Sequence, residues 1–231
     1  MDEAAWYKTV EDHWTKEVSA DDNDGVLGGW GCVDEEDAKG SVAFLEDTLG
    51  VSGAQWPIAG YRALDMGAGI GRVTGSVLLK VAEQVQLVEV SESLLTQAAT
   101  KLVAHANRIE CSQTSLREFA PPVGSYDAVW AQWVLGHLVD TDVVALLRRC
   151  RGALRRGGAL YVKDNTCPAS QCDWDSKYLL DEENAGVIRT HAHLWALARQ
   201  AGFKLGKTAL QQNFPTNLYP VRMYHFIPRN D

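Results

Sequence analysis

No stretch of this chain is apolar for the ~18–20 residues that a membrane-crossing helix needs, and its first thirty residues are acidic rather than led by a basic segment. Membrane insertion and secretion are therefore not expected. Cysteine is sparse. Cys32, Cys111, Cys150, Cys167 and Cys172 form an odd, scattered set without a C-x-x-C pair, which excludes a disulfide framework and suits a reducing compartment. Cations are in deficit, with 22 Lys+Arg against 30 Asp+Glu and a net charge of −8. A general nucleic-acid binder needs clustered cations for phosphate contacts, so that class is excluded. His191 and His193, with the dispersed cysteines, lack zinc-ligand spacing, and no metal site is expected. Internal repeats and low-complexity tracts are also missing.

What is present is enough for one substantial domain: 231 residues, 46% of them hydrophobic, which rules out wholesale disorder. The charge is lopsided. Residues 1–50 hold 14 acidic and 3 basic side chains, and the remainder hold 16 and 19. The acidic arm reads either as a solubilising surface or as a wall that attracts a cationic substrate, and composition does not choose. Arg148, Arg149, Arg151, Arg155 and Arg156 cluster near a predicted helix C-terminus, where cations offset the macrodipole, and read as a solvated face.

Periodicity supplies the organisation. Trp6, Val10 and Trp14 stand four apart within residues 4–17, which predicts a helix. A turn-rich loop from Asp21 to Gly31, a helix over Asp34–Leu49 and a Gly/Pro-punctuated linker over Gly50–Gly60 follow. Strands are then predicted at Tyr61–Met66, Gln86–Val90, Ile109–Ser112, Tyr126–Ala131 and Gly158–Lys163, with helices from Gly71, Glu92 and Thr141 between them. A further helix at 189–201 and strands near 203–211 and 219–227 complete the chain. Alternating strand and helix is the pattern of an α/β protein with a parallel sheet and helices on both faces, whose ligands bind beyond the carboxyl ends of the strands.

The first candidate site lies at such an end. Asp65-Met66-Gly67-Ala68-Gly69-Ile70-Gly71-Arg72 follows the first strand of the βα series and precedes a helix. Glycines there let the backbone approach a ligand closely. The G-x-G-x-G spacing departs from the dinucleotide G-x-G-x-x-G, which argues against NAD. Glu89 ends the next strand, 18 residues after Gly71, and an acidic residue about 20 residues on accepts ribose hydroxyls in nucleotide sites. Its alternative is an ordinary carboxylate at a strand end.

These motifs resemble class I S-adenosylmethionine-dependent methyltransferases. Gly25–Gly31 (GVLGGWG), Leu64–Thr74 (LDMGAGIGRVT), Val129–Leu138 (VWAQWVLGHL) and Arg148–Asn165 (RRCRGALRRGGALYVKDN) are similar, more narrowly, to the alpha N-terminal protein methyltransferases. The similarity extends from about Trp6 to Phe226. It implies a Rossmann-like seven-stranded mixed sheet, with a helical extension over residues 1–52 covering the active site of a catalytic domain at 53–231. It also implies S-adenosyl-L-methionine as methyl donor, S-adenosyl-L-homocysteine as product, and as substrate the free α-amine of proteins beginning X-Pro-Lys.

By the same resemblance, Gly67 and Gly69 contact the methionine part of the cofactor and Arg72 pairs with its carboxylate. Glu89 holds the ribose beside Val90 and Ser91, where the family often has Asp. Leu116 and Arg117 flank the adenine, although Arg117 stands where the family usually has Gln. Gln132 faces the sulfonium, and Trp14 covers it. Trp133 packs on the substrate proline, Asn165 hydrogen-bonds near the amine, and Leu27, Leu218 and Tyr219 line the same groove.

Read without the family, Trp133 and His137 stand four apart past a strand and would share a face if that segment is helical; core packing is the alternative. His137 can receive the proton of an α-amine whose pKa is about 7.7–8.0. Backward alignment from Arg189 puts Asn184 where the family has an amine-contacting Asp, leaving Asp181 to assist, with Asp173 and Asp175 as a second acidic segment. A same-fold enzyme for a small molecule and a cofactor- or peptide-binding module without turnover stay open at this level. A cytoplasmic location, with the nucleus as a second compartment, and a monomeric state are the accompanying expectations.

Overall fold

Strands and helices in this chain follow the alternation of buried side chains, and the computed structural model describes residues 2–168, 171, 177–181 and 185–229. Helix α1 (Glu3–Asp12) starts at Asp2, whose carboxylate accepts from the Ala4 N–H, and continues as a π turn over His13–Glu17. A short α2 (Asn23–Val26) is capped by Asp22. Helix α3 (Asp34–Leu49) opens with four acidic residues, which complement the positive end of its dipole, and stops at Gly50 with a left-handed φ of 67°.

The sheet begins at β1 (Ile58–Met66). After the glycine turn come a π turn over Thr74–Leu78, α4 (Leu79–Val81) and β2 (Ala82–Glu89). Next are α5 (Glu92–Lys101), β3 (Ile109–Gln113) and β4 (Tyr126–Gln132). A 3-10 turn over Leu135–His137 leads into α6 (Asp140–Ala153) and β5 (Leu154–Asn165). The chain then forms β6 (Tyr178–Asp181), β7 (Gly186–Arg189), α7 (His191–Gln200), β8 (Phe203–Leu210) and β9 (Val221–Pro228).

The strand order is β3-β2-β1-β4-β5-β9-β8. The first five strands are parallel, and β9 runs antiparallel between β5 and β8. The fold is thus α/β with a seven-stranded mixed sheet. Successive residues of the central strands serve opposite faces. Leu64, Met66, Val129, Ala131, Leu160 and Val162 enter the core under α6 and α7. Ala63, Ala128, Trp130, Ala159 and Tyr161 enter the core with Phe44 and Leu45 of α3. Strand order reverses between β1 and β4, so a crevice opens beyond Met66 and Gln132.

The helix predicted from Gly71 is present: helical backbone starts at Arg72, directly after the positive-φ glycines Gly67, Gly69 and Gly71, and takes a π form over Thr74–Leu78. Two expectations need correction. Strands β6 and β7, which pair antiparallel, fall where the sequence predicts no element. Cys167 is disulfide-bonded, against the reading of five reduced thiols, whereas Cys32, Cys111 and Cys150 are free. Among the described residues, no helix is long and apolar enough to cross a membrane.

Candidate active site

Beyond the carboxyl ends of β1, β2 and β4 lies a cavity of about 500 Å³. Its floor is the glycine turn. Gly67 and Gly69 have φ of 69° and 53°, values that L side chains rarely adopt. A Cβ on Gly67 would lie 2.5 Å from Val134, so the turn has no room for one on that side. Glu89 is tied into the turn: its carboxylate accepts from the N–H groups of Gly69 at 2.9 Å, Val90 at 2.9 Å and Ser91 at 3.1 Å. Burial nevertheless pushes its pKa above the usual range, those three bonds offsetting part of the effect. Asp65 is also buried, accepts from the Thr74 hydroxyl at 2.6 Å, and has its pKa raised by burial to about 6.

Arg72 lines the cavity with its guanidinium 5.3 Å from the Trp133 ring. Its Nη1 donates to Asp34 and Asp37 of α3, each at 2.7 Å. Gln132, at the end of β4, accepts from Trp130 Nε1 at 3.1 Å and donates to Asp37 at 2.8 Å. Trp14, Val90, Leu116 and Arg117 complete this part of the wall. One position differs from expectation. Ser91 is buried outside the lining, where it starts α5. Arg117 lies over the Tyr7 ring at 3.8 Å and donates to Asp142 at 3.0 Å, so its guanidinium anchors α1.

A second cavity, of about 770 Å³, adjoins the first and is lined by Leu27, Trp133, His137, Asn165, Asp181, Leu218 and Tyr219 among others. Trp14, Val26, Leu27, Trp133 and His137 line both. Trp133 and His137 do not share a helix face, as their spacing had suggested. Trp133 has a φ of 51°, and only the 3-10 turn follows it. They converge instead because the chain turns sharply: Trp133 N–H donates to the Lys163 carbonyl at 3.0 Å, and Trp133 Nε1 donates to Asn165 Oδ1 at 3.2 Å.

His137 is fixed from several sides. Nδ1 lies 3.0 Å from the Ala185 carbonyl, which can only accept and so favours the tautomer with the proton on Nδ1; the Trp133 backbone also interacts with the ring. Trp14 meets the imidazole edge-to-face at 5.2 Å. Trp6 Nε1 donates to the His137 carbonyl at 3.0 Å, and the Tyr7 hydroxyl accepts from the Val139 N–H at 3.1 Å, pinning α1 onto this turn. Arg189 holds the turn from below by donating to the Leu135 and Leu138 carbonyls, each at 2.6 Å. Burial lowers the imidazole pKa, so the neutral form persists to lower pH than usual. Asn184, Asp173 and Asp175 lie outside the described residues.

The cavity brings together a glycine cradle, a carboxylate at the second strand end, the guanidinium groups of Arg72 and Arg117, the amides of Gln113 and Gln132, and the buried indole N–H of Trp14, which has no partner among the described residues. Residues 2–227 match the model of a family described as AdoMet dependent proline di-methyltransferase. The chain belongs to that family. It is an S-adenosylmethionine-dependent (AdoMet-dependent) N-terminal methyltransferase.

The methyltransferase is 37% identical over 224 residues to the alpha N-terminal protein methyltransferase 1 of Dictyostelium discoideum, covering 96% of this chain and 79% of that one. It is 37% identical to the N-terminal Xaa-Pro-Lys N-methyltransferase 1 of Danio rerio, covering 95% and 94% of the two chains. A solved SAM-dependent methyltransferase from Leishmania major superposes with a TM-score of 0.81 at 31% identity, covering 96% of this chain and 83% of that one.

Two residues, one lining a cavity and one buried behind it, escaped sequence reasoning. Asp164 lines the second cavity, accepts from the Asn165 N–H at 2.9 Å, and is pushed by burial to a pKa of about 7. Its place in K-D-N, inside a motif already singled out, was the available signal. Asp37, wholly buried on α3, had no local signal beyond an acidic residue one turn into a helix.

Proposed function

We propose that this enzyme methylates the free α-amine of proteins beginning Xaa-Pro-Lys. The observation that carries the reading is the meeting of two cavities at Trp14, Leu27, Trp133 and His137. One has the donor set for AdoMet, and the other is a groove of about 770 Å³ whose aromatic and acidic lining, with Trp133, Tyr219, Asp164 and Asp181, suits a cationic peptide N-terminus. AdoMet, when bound, supplies an electrophilic sulfonium methyl group.

The residues act as follows. Gly67 and Gly69 admit the amino-acid end of AdoMet, and the free edge of Arg72 takes its carboxylate in a charge-assisted contact. Glu89 keeps acceptor capacity for ribose hydroxyls beyond its three backbone bonds, with Val90 and Leu116 flanking. Gln132 and Trp14 face the reacting end. Trp133 stacks on the substrate proline, held by its bond to Asn165, while Asn165 meets the peptide beside the amine. Leu27, Leu218 and Tyr219 wall the groove.

A free α-amine titrates at about 7.7–8.0, and removal from water lowers that further. His137 Nε2 accepts the proton, directly or through water. Asp164 and Asp181 face the same groove and attract the cationic amine and the lysine that follows. With both reactants held near ~3–3.5 Å, orientation supplies much of the acceleration.

Mass spectrometry of an Ala-Pro-Lys or Ser-Pro-Lys peptide after incubation with enzyme and AdoMet tests the reading. The expected result is added methyl groups on the α-nitrogen, and an unmodified N-terminus overturns it. The acidic arm adds a second expectation, since Glu17 and Asp24 also line the groove. Raising salt from about 0.05 to 0.5 M shortens the screening length severalfold, so peptide KM should climb while S-adenosylhomocysteine affinity changes little. Equal salt effects on the two would assign the arm to solubility alone.

A further inference from the structure

Every cofactor-facing group described above belongs to the sheet or its turns except those reached by α1 and α2, yet two of them are held by a residue of α3. Asp37 is wholly buried and lines neither cavity, so it touches no ligand. Its Oδ2 accepts from Arg72 Nη1 at 2.7 Å and from Gln132 Nε2 at 2.8 Å. Its Oδ1 forms an ion pair with Lys163 Nζ at 2.6 Å. We infer that Asp37 is a positioning residue of the cofactor pocket, setting the Arg72 guanidinium and the Gln132 amide toward AdoMet from behind.

The geometry explains how. Arg72 gives one nitrogen, Nη1, to Asp34 and Asp37, which leaves its Nε–Nη2 edge for a carboxylate arriving in the cavity. A guanidinium is a planar fork, so fixing one nitrogen aims the rest. Gln132 cannot flip its amide, because Trp130 Nε1 donates to its oxygen at 3.1 Å while its nitrogen donates to Asp37. One amide hydrogen therefore stays available to the pocket. Lys163 compensates the buried carboxylate and is held by Ser41 Oγ at 2.9 Å and Gln211 Oε1 at 2.7 Å. The pocket is thus aimed by a helix of the N-terminal extension.

This inference rests on the reading that Arg72 and Gln132 face AdoMet, and the test separates the two. S-adenosylhomocysteine affinity by calorimetry, melting temperature without ligand, and peptide KM are measured on Asp37→Asn, Asp37→Asn/Lys163→Met, Ser41→Ala and Arg72→Met. Removing both charges of a buried pair is far milder than removing one, so the double variant should recover most of the melting temperature that Asp37→Asn loses. Its S-adenosylhomocysteine affinity should still fall about tenfold or more, the scale of one charge-assisted contact, with peptide KM unchanged. Ser41→Ala, which loosens only Lys163, should lower the melting temperature without moving that affinity. Wild-type S-adenosylhomocysteine affinity in the double variant overturns the positioning role. Unchanged affinity in Arg72→Met overturns the assignment of Arg72 itself.

Discussion

His137→Asn should lower kcat by about 10²–10⁴-fold, the range for losing a general base, while S-adenosylhomocysteine affinity stays at the wild-type value. Asparagine is the informative choice because its amide can still donate to the Ala185 carbonyl, as Nδ1–H does, so the turn keeps its anchor and only the Nε2 lone pair is lost. Wild-type kcat with an Xaa-Pro-Lys peptide would remove His137 from proton transfer.

A pH series sharpens this test. Burial depresses the His137 pKa, so the neutral base is already available below the ordinary ~6.5. The rise of wild-type kcat/KM toward alkaline pH should then follow the substrate amine and Asp164, whose pKa is about 7, rather than His137. In stability the sign is fixed by the same depression. His137 contributes above its unfolded pKa, and that contribution is lost as pH falls toward the depressed folded value. His137→Asn should therefore show less acid destabilisation than wild type between about pH 6.5 and 5.

How much of this site the sequence disclosed depended on range. The glycine turn was legible because only glycine suits three positive-φ positions between strand and helix, and the structure has them at Gly67, Gly69 and Gly71. Helix α3 was legible to the residue, bracketed by an acidic first turn and Gly50. Spacing misled at Trp133. A bulky aromatic at φ 51° is rare, so four-residue spacing to His137 suggested a helix where the chain in fact turns back on β5. The β6–β7 hairpin was missed because Tyr178–Asp181 and Gly186–Arg189 are too short to show a clear alternation. Asp37 and Lys163 stand 126 residues apart, and no local pattern encodes a pairing of that length. Local rules thus located the pocket, whereas the contacts that aim it came from tertiary packing.

Lys163→Met should cost about 3–5 kcal/mol of folding stability, the usual range when one partner of a buried ion pair is removed. At roughly 2–4 °C per kcal/mol for a domain of this size, the melting temperature should fall by about 10 °C. Methionine matches the length of the lysine stem, so the loss is one of charge and hydrogen bonds rather than of volume. Four oxygens lose a partner at once: the carboxylate and carbonyl of Asp37, the Ser41 hydroxyl and the Gln211 amide. Burial alone would raise the Asp37 pKa, yet Lys163 and Arg72 together hold it below the ordinary value.

Without Lys163 the burial effect gains weight and Asp37 takes up a proton more readily. The deficit of Lys163→Met against wild type should therefore shrink as pH is lowered from 7 toward 5. The alkaline side has its own sign. Burial depresses Lys163 to about 8, so its contribution is fully present only above its unfolded pKa near ~10.4 and is lost as pH falls through about 8. Wild type should gain stability relative to Lys163→Met from that group as pH rises above 8. Melting curves of the two proteins between pH 5 and 9.5 measure both slopes. A pH-independent difference would mean that Lys163 fills space in this network without compensating the Asp37 charge.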